Sequence, residues 1–98
     1  MWILRSSEAD GSLTFRLPDG TSKTVGRGPR ADFIVDLALV SRVHCRVTAG
    51  SDSLEVEDLS STNGTFVNDK RVEKGQLANG SRLRIGRVEL AVEQVNHF

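Results

Sequence analysis

Apolar and polar residues alternate in short bursts along this chain of 98 residues. The segment "LTFRL" sets Leu13, Phe15 and Leu17 on one face, and "CRVTA" does the same with Cys45, Val47 and Ala49. In "LEVED" the matching set is Leu54, Val56 and Asp58; in "RLRI" and "VELAV" it is Leu83, Ile85, Val88, Leu90 and Val92. A period of two marks a half-buried strand, because successive side chains leave opposite faces of a sheet. Turn-forming residues separate the bursts at Asp10-Gly11, Pro18-Asp19-Gly20, Gly28-Pro29, Gly50-Ser51-Asp52, Asn63-Gly64, Asn68-Asp69, Asn79-Gly80 and Gly86. Many short strands with such regular punctuation predict an all-β sandwich or barrel.

One stretch resists this reading. In "ADFIVDLALVSRVH" the residues Ile34, Leu37 and Ala38 have helical spacing. However, β-branched residues are frequent, no good N-cap precedes them and Pro29 lies just before, so the stretch predicts a strand over Phe33–Val35 and a loop over Asp36–Arg42. The chain shows no repeat, low-complexity run or linker, and its length suits a single domain over residues 1–98 with one modest core.

Composition narrows the function. Hydrophobic residues make up 38% and charged residues 27%, which fits a folded soluble domain. Thirteen basic and thirteen acidic residues cancel, which argues against broad binding to nucleic acid or acidic membranes. A local basic pocket is compatible with that balance: between Gly26 and Arg46, four arginines (27, 30, 42 and 46) face only Asp32 and Asp36. The single cysteine, Cys45, allows neither an intrachain disulfide nor a multi-cysteine zinc site, and it suits a reducing, intracellular compartment. The opening "MWILRSSEAD" is too short an apolar run for a signal peptide or a membrane span, so the Asn63-Gly64-Thr65 glycosylation triplet is read as coincidence.

Three sets of residues invite chemistry. "GRGPRA", Gly26 to Ala31, matches the Gly-x-Gly-x-x-Ala form of the dinucleotide fingerprint, which would make the chain a nucleotide-binding enzyme fragment. That motif needs a helix after it inside a parallel βαβ unit, whereas the pattern after Arg42 is antiparallel strand. Ser41 and His44, with Asp36 or Asp58, suggest a hydrolase triad, yet no strained nucleophile turn surrounds the serine. His44 and Cys45 are adjacent and point to opposite faces of a strand, so they make no catalytic pair; a structural histidine and a buried thiol are the simpler readings. Arg27, Arg42, Ser41 and Thr62 differ in kind. Planar guanidinium forks suit phosphate oxygens, and hydroxyls with exposed turn N–H groups complete such a site.

Gly26-Arg27, Ser41-Arg42-Val43-His44 and Ser61-Thr62-Asn63-Gly64-Thr65, in this order and spacing, resemble the signature of the forkhead-associated (FHA) domain, and the likeness extends through "NGSRLRIG", Asn79 to Gly86. The resemblance implies a two-sheet β-sandwich of about eleven short, mostly antiparallel strands, with loops at one end that bind phosphothreonine peptides. It implies a non-catalytic interaction module of kinase signalling, a monomer as an isolated domain, needing no cofactor and no metal. Its partner would be a phosphothreonine-containing protein or peptide rather than nucleic acid or membrane. By the same resemblance Arg27, Ser41 and Thr62 hold the phosphate, Arg42 adds a backbone amide and its side chain, and Asn63 holds the peptide backbone. His44 braces the two loops, Gly26 and Gly64 support them, and Asn68 lies where the family often reads the third residue after the phosphothreonine. Leu39 departs from relatives that carry a basic residue two positions before the serine. Met1-Trp2 is similar to the opening of nibrin-type DNA-repair proteins, and bacterial partners of Ser/Thr kinases carry the same domain. A version of the fold that docks partners without phosphate is the alternative.

Overall fold

The computed structural model describes residues 1–6 and 12–95. The Asp10-Gly11 turn of the sequence reading lies outside them. Eleven strands run in chain order: β1 (Trp2–Ser6), β2 (Leu13–Leu17), β3 (Ser22–Gly26), β4 (Phe33–Ile34), β5 (Cys45–Ala49), β6 (Leu54–Asp58), β7 (Thr65–Val67), β8 (Lys70–Val72), β9 (Lys74–Leu77), β10 (Arg82–Ile85) and β11 (Val88–Gln94). They form a six-stranded sheet in the order β2-β1-β11-β10-β7-β8 and a five-stranded sheet in the order β4-β3-β5-β6-β9. Every pairing is antiparallel except β3 with β4, where Val25 stands beside Phe33.

The alternation in the sequence becomes the inner faces of the two sheets. Leu83, Ile85, Val88, Leu90 and Val92 from one sheet, and Cys45, Val47, Ala49, Leu54 and Val56 from the other, are buried in one core. Trp2 is fully buried there and donates its indole N–H to the Gly50 carbonyl at 2.8 Å, so its single polar atom is satisfied. Phe15 and Phe33 stack at 4.5 Å between ring centroids on the flank of this core.

Strand β4 stops at Ile34, one residue short of the expected Phe33–Val35. Val35 is fully buried and donates its N–H to the Gly26 carbonyl, yet the chain leaves the sheet there. The stretch 36–42 is loop, as expected; of the residues with helical spacing, Ile34 and Ala38 are exposed and Leu37 is half-buried, while Val35 and Val40 dip into the core. Strands β3, β8 and β9 escaped the periodicity because each is short and carries few apolar residues, Val25 in β3, Val72 in β8 and Leu77 in β9.

The register decides what lies at each end. Gly26, Ile34, Cys45, Asp58, Thr65 and Ile85 all fall at one end of the sandwich. The loops 27–32, 35–44 and 59–64 therefore leave from the same rim.

Candidate functional site

The first two of these loops are zipped together by their backbones. Arg27 N–H donates to the Ser41 carbonyl at 2.9 Å and Gly28 N–H to the Arg42 carbonyl at 3.0 Å. A Cβ at Gly26 would run into that Arg42 carbonyl, so glycine here permits the close approach of one loop to the other. The glycines of "GRGPRA" thus serve loop packing. No helix follows Ala31 among the described residues, which removes the dinucleotide-binding alternative.

His44 joins the second loop to the third. It is fully buried, and its Nδ1 accepts the Ser41 N–H at 3.0 Å. The proton therefore sits on Nε2, which donates to the Gly64 carbonyl at 2.7 Å; the hydrogen-bond partners fix this tautomer. The third loop is organised by Asp58 at the end of β6. Its carboxylate accepts from the Ser61 hydroxyl, from Thr65 Oγ1 at 2.7 Å and from Ser61 N–H at 3.2 Å. Ser61 Oγ in turn accepts the Gly64 N–H at 2.9 Å. Partial burial pushes the Asp58 carboxyl up, but the hydrogen bonds from Ser61 and Thr65 outweigh it and hold the group below its usual range. Gly64 has φ +91°, a left-handed conformation that a Cβ resists.

Between the loops opens a cleft of about 340 Å³ lined by Arg27, Leu39, Val40, Ser41, Arg42, Thr62 and Asn63. Hydrogen bonds in its walls tie down the side chains of Arg27, Ser41 and Asn63. Arg27 Nε donates to the Val40 carbonyl at 3.1 Å, which leaves the two terminal nitrogens of its guanidinium without a partner among the described residues. Ser41 Oγ accepts the Thr62 N–H at 3.0 Å, so its hydroxyl hydrogen remains to donate elsewhere. Asn63 Nδ2 donates to the Leu39 carbonyl at 3.0 Å, and its Oδ1 has no described partner. Leu39 sits at φ 71°, a region a branched aliphatic residue occupies at a cost of about 1–3 kcal/mol. Its carbonyl is held by Asn63 while its side chain, 45% exposed, remains at the cleft.

The lining carries two guanidinium groups, two hydroxyls and a side-chain amide, and no carboxylate. An arrangement of preset donors without a nearby anion suits a small, multiply charged acceptor such as a phosphate ester. A second depression, about 370 Å³, is lined by Glu57, Asp58, Ser60, Glu73 and Lys74; its three carboxylates give it the opposite preference. Among the described residues no group of three or more His, Cys, Asp or Glu gathers as a metal site. Cys45 is buried beside Asp58, and burial pushes its thiol up to about 12, which removes it from nucleophilic chemistry at neutral pH.

The structure therefore brings Arg27, Ser41, Arg42, Thr62 and Asn63 to one cleft and sets Gly26, His44 and Gly64 beneath or beside it. It does not bring Asn68 there. Asn68 and Asp69, at φ 48° and 70°, form the two-residue turn between β7 and β8, and Asn68 Oδ1 accepts the Arg82 N–H at 2.9 Å. That side chain locks a hairpin to its neighbour, β10. Sequence reasoning missed Asp58 as the organiser of the third loop. The signal was the spacing of Asp58 and Ser61, three apart, which suits an aspartate capping a turn through backbone and hydroxyl.

Comparison with known proteins agrees with this geometry. The family model described as FHA domain matches residues 23–86. The FHA domain-containing protein FhaA of Mycobacterium tuberculosis is 37% identical over 93 residues, covering 86% of this chain and 18% of FhaA. A solved structure from an analysis of phosphothreonine-dependent FHA domain interactions superposes with a TM-score of 0.87 at 34% identity, covering 98% of each chain. The crystal structure of the FhaA FHA domain complexed with the intracellular domain of Rv3910 superposes with a TM-score of 0.84 at 35% identity, covering 95% of this chain and all of that one. This chain spans about half or less of the length of the curated relatives it matches. A family model across most of the chain, over a sandwich whose loops converge on an arginine-lined cleft, establishes that the chain belongs to the FHA domain family.

Proposed function

We propose that this chain is a non-catalytic module that docks onto a partner protein when a threonine of that partner is phosphorylated. The observation that carries the reading is the cleft with Arg27, Ser41, Arg42, Thr62 and Asn63 in its lining and no carboxylate among them. Arg27 places its free terminal nitrogens on the phosphate, Ser41 donates its remaining hydroxyl hydrogen, and Arg42 and Thr62 complete the cradle. Asn63 holds the peptide backbone with its spare amide oxygen. Each charge-assisted hydrogen bond of this kind contributes about 1.5–3 kcal/mol, so a few suffice for micromolar affinity. The reading is supported by likeness to a domain studied for phosphothreonine-dependent interactions and by likeness to an FHA domain held in complex with another protein's intracellular domain. A module of this kind works inside the cell, where Ser/Thr kinases write the mark.

The test is calorimetric titration of one peptide sequence in four forms: phosphothreonine, phosphoserine, aspartate and unmodified. Binding restricted to the phosphorylated forms supports the proposal. An aspartate carries one charge and two planar oxygens, so it should not replace a tetrahedral group of charge near −2. Equal binding of the unmodified peptide would replace this reading with phosphate-independent docking.

A further inference from the structure

The cleft is not the end of the positive surface. One residue below the rim, on the outer face of the six-stranded sheet, the register places Arg71 of β8 opposite Phe66 of β7, and Phe66 opposite Arg84 of β10. The Arg84 guanidinium lies over the Phe66 ring at 4.0 Å from its centroid. The Arg71 guanidinium reaches the cleft loop itself: a Cβ built on Gly64 would stand 2.8 Å from Arg71 Nε and 3.3 Å from the Phe66 ring. Gly64 directly follows the cleft residue Asn63 in the chain, so Arg71 packs against the residue next to the cleft lining.

Neither arginine has an acidic partner within 4.0 Å among the described residues. On the same face Arg82 pairs with Asp69 at 3.1 Å and with Glu89 at 4.0 Å, and Arg5 with Glu93 at 3.9 Å. Glu89 faces Arg84 in the register, yet its carboxylate lies with Arg82. Two guanidiniums without an ion pair among the described residues thus stand beside the anion cleft, one of them stacked on an aromatic ring.

We propose that Arg71 and Arg84, arranged across Phe66, form a second anionic subsite that takes a further negative group on the same phosphothreonine ligand, either a carboxylate or a second phosphate. The inference rests on the proposed function, since the subsite is reached through Gly64 from the phosphothreonine cleft. Its consequence is a preference for phosphothreonines in acidic or multiply phosphorylated segments. The aromatic ring also supports the subsite by holding Arg84 in place before the ligand arrives, which lowers the ordering cost of binding.

The experiment walks a single glutamate along an otherwise neutral phosphothreonine peptide and titrates each version against the wild-type chain, Arg71→Gln, Arg84→Gln and Arg71→Glu. Wild type should bind one position's peptide about three- to fivefold more tightly than the neutral peptide, the range of a solvent-exposed ion pair. Replacing that glutamate by a second phosphothreonine should raise the advantage, and comparison of the two arms separates carboxylate from phosphate. The advantage should vanish in Arg71→Gln and fall in Arg84→Gln, while affinity for the neutral phosphothreonine peptide stays unchanged. In Arg71→Glu, a lysine at the same peptide position should bind better than glutamate, a swap that no folding defect mimics. An unaltered glutamate advantage in the arginine variants, or no favoured position in wild type, would overturn the subsite while leaving the phosphothreonine cleft intact. Failure of wild type to bind the neutral phosphothreonine peptide, with normal thermal melting, would overturn the proposed function and the subsite with it.

Discussion

The Ser41 hydroxyl oxygen accepts the Thr62 backbone N–H at 3.0 Å, across 21 residues of sequence. One atom thereby ties two cleft loops together and orients the only hydrogen it has left to donate. Ser41→Ala removes both roles. It should cost about 0.5–1.5 kcal/mol of stability through the lost loop contact and lower phosphopeptide affinity by tenfold or more, in the range of a charge-assisted bond. Thermal melting and calorimetric titration of the same sample separate the two effects.

Arg27 is exposed, and its only described side-chain hydrogen bond runs from Nε to the Val40 carbonyl. Arg27→Ala should leave the melting temperature within about 4 °C of wild type, since exposed substitutions cost about 0.5 kcal/mol or less. Phosphopeptide binding should drop at least tenfold. Arg27→Lys should recover only part of it, because an ammonium cannot present a planar fork to phosphate. Unchanged affinity in Arg27→Ala would remove Arg27 from the phosphate site.

His44 behaves in the opposite way. Its replacement by alanine strands the partly buried Ser41 N–H and the Gly64 carbonyl and opens a cavity in the loop base. Stability should fall by about 2–4 kcal/mol, combining the unsatisfied groups with the lost packing. Binding should weaken because the loops lose their spacing. Denaturant unfolding measures the first; a variant that melts like wild type yet loses all binding would make His44 a ligand residue.

Asp58 gives the third loop an acid limit. Its folded carboxyl is held below the ordinary value by Ser61 and Thr65. It therefore binds a proton less readily in the folded than in the unfolded state. The resulting stability is complete above the unfolded value, near pH 4, and is lost as pH falls through the folded value. Urea unfolding between pH 2 and 6 should show a steeper acid decline in wild type than in Asp58→Asn. Parallel pH profiles in the two would assign the acid sensitivity to other carboxylates.

Phosphothreonine and phosphoserine differ by one methyl group. Burial of a methyl is worth about 0.8 kcal/mol by transfer, and shaped pockets discriminate by about 1–3 kcal/mol. With Gly64 allowing the backbone of 62–65 to close on the ligand, a good phosphothreonine peptide should bind at least tenfold more tightly than its phosphoserine form. Competition titration checks the ratio, and equal affinities would mean that no methyl pocket exists.

Local chemistry made most of the strands legible. Cys45, Val47 and Ala49, or Val88, Leu90 and Val92, can bury one face only as extended chain, so their order along the sequence sufficed to place them in a sheet. Turn residues marked the gaps, and the grouping of Ser41-Arg42 and Thr62-Asn63 identified the cleft loops by residue type. Asn68 shows the limit of that kind of reading. The family resemblance gave it a ligand contact, whereas strand pairing places it outside the cleft lining and commits its Oδ1 to Arg82, 14 positions away. Arg71 shows the converse: nothing beside it in sequence points to the cleft, and only the β7–β8 register lays it across Gly64. The sequence by itself determined the strands with a clear apolar alternation, the turns between them and which residue types the loops carry, because those depend on contacts within a few residues. Only the tertiary structure decided which loops share a rim, which donors are already spent on backbone carbonyls and which arginines remain unpaired, because those depend on partners brought together by the packing of two sheets.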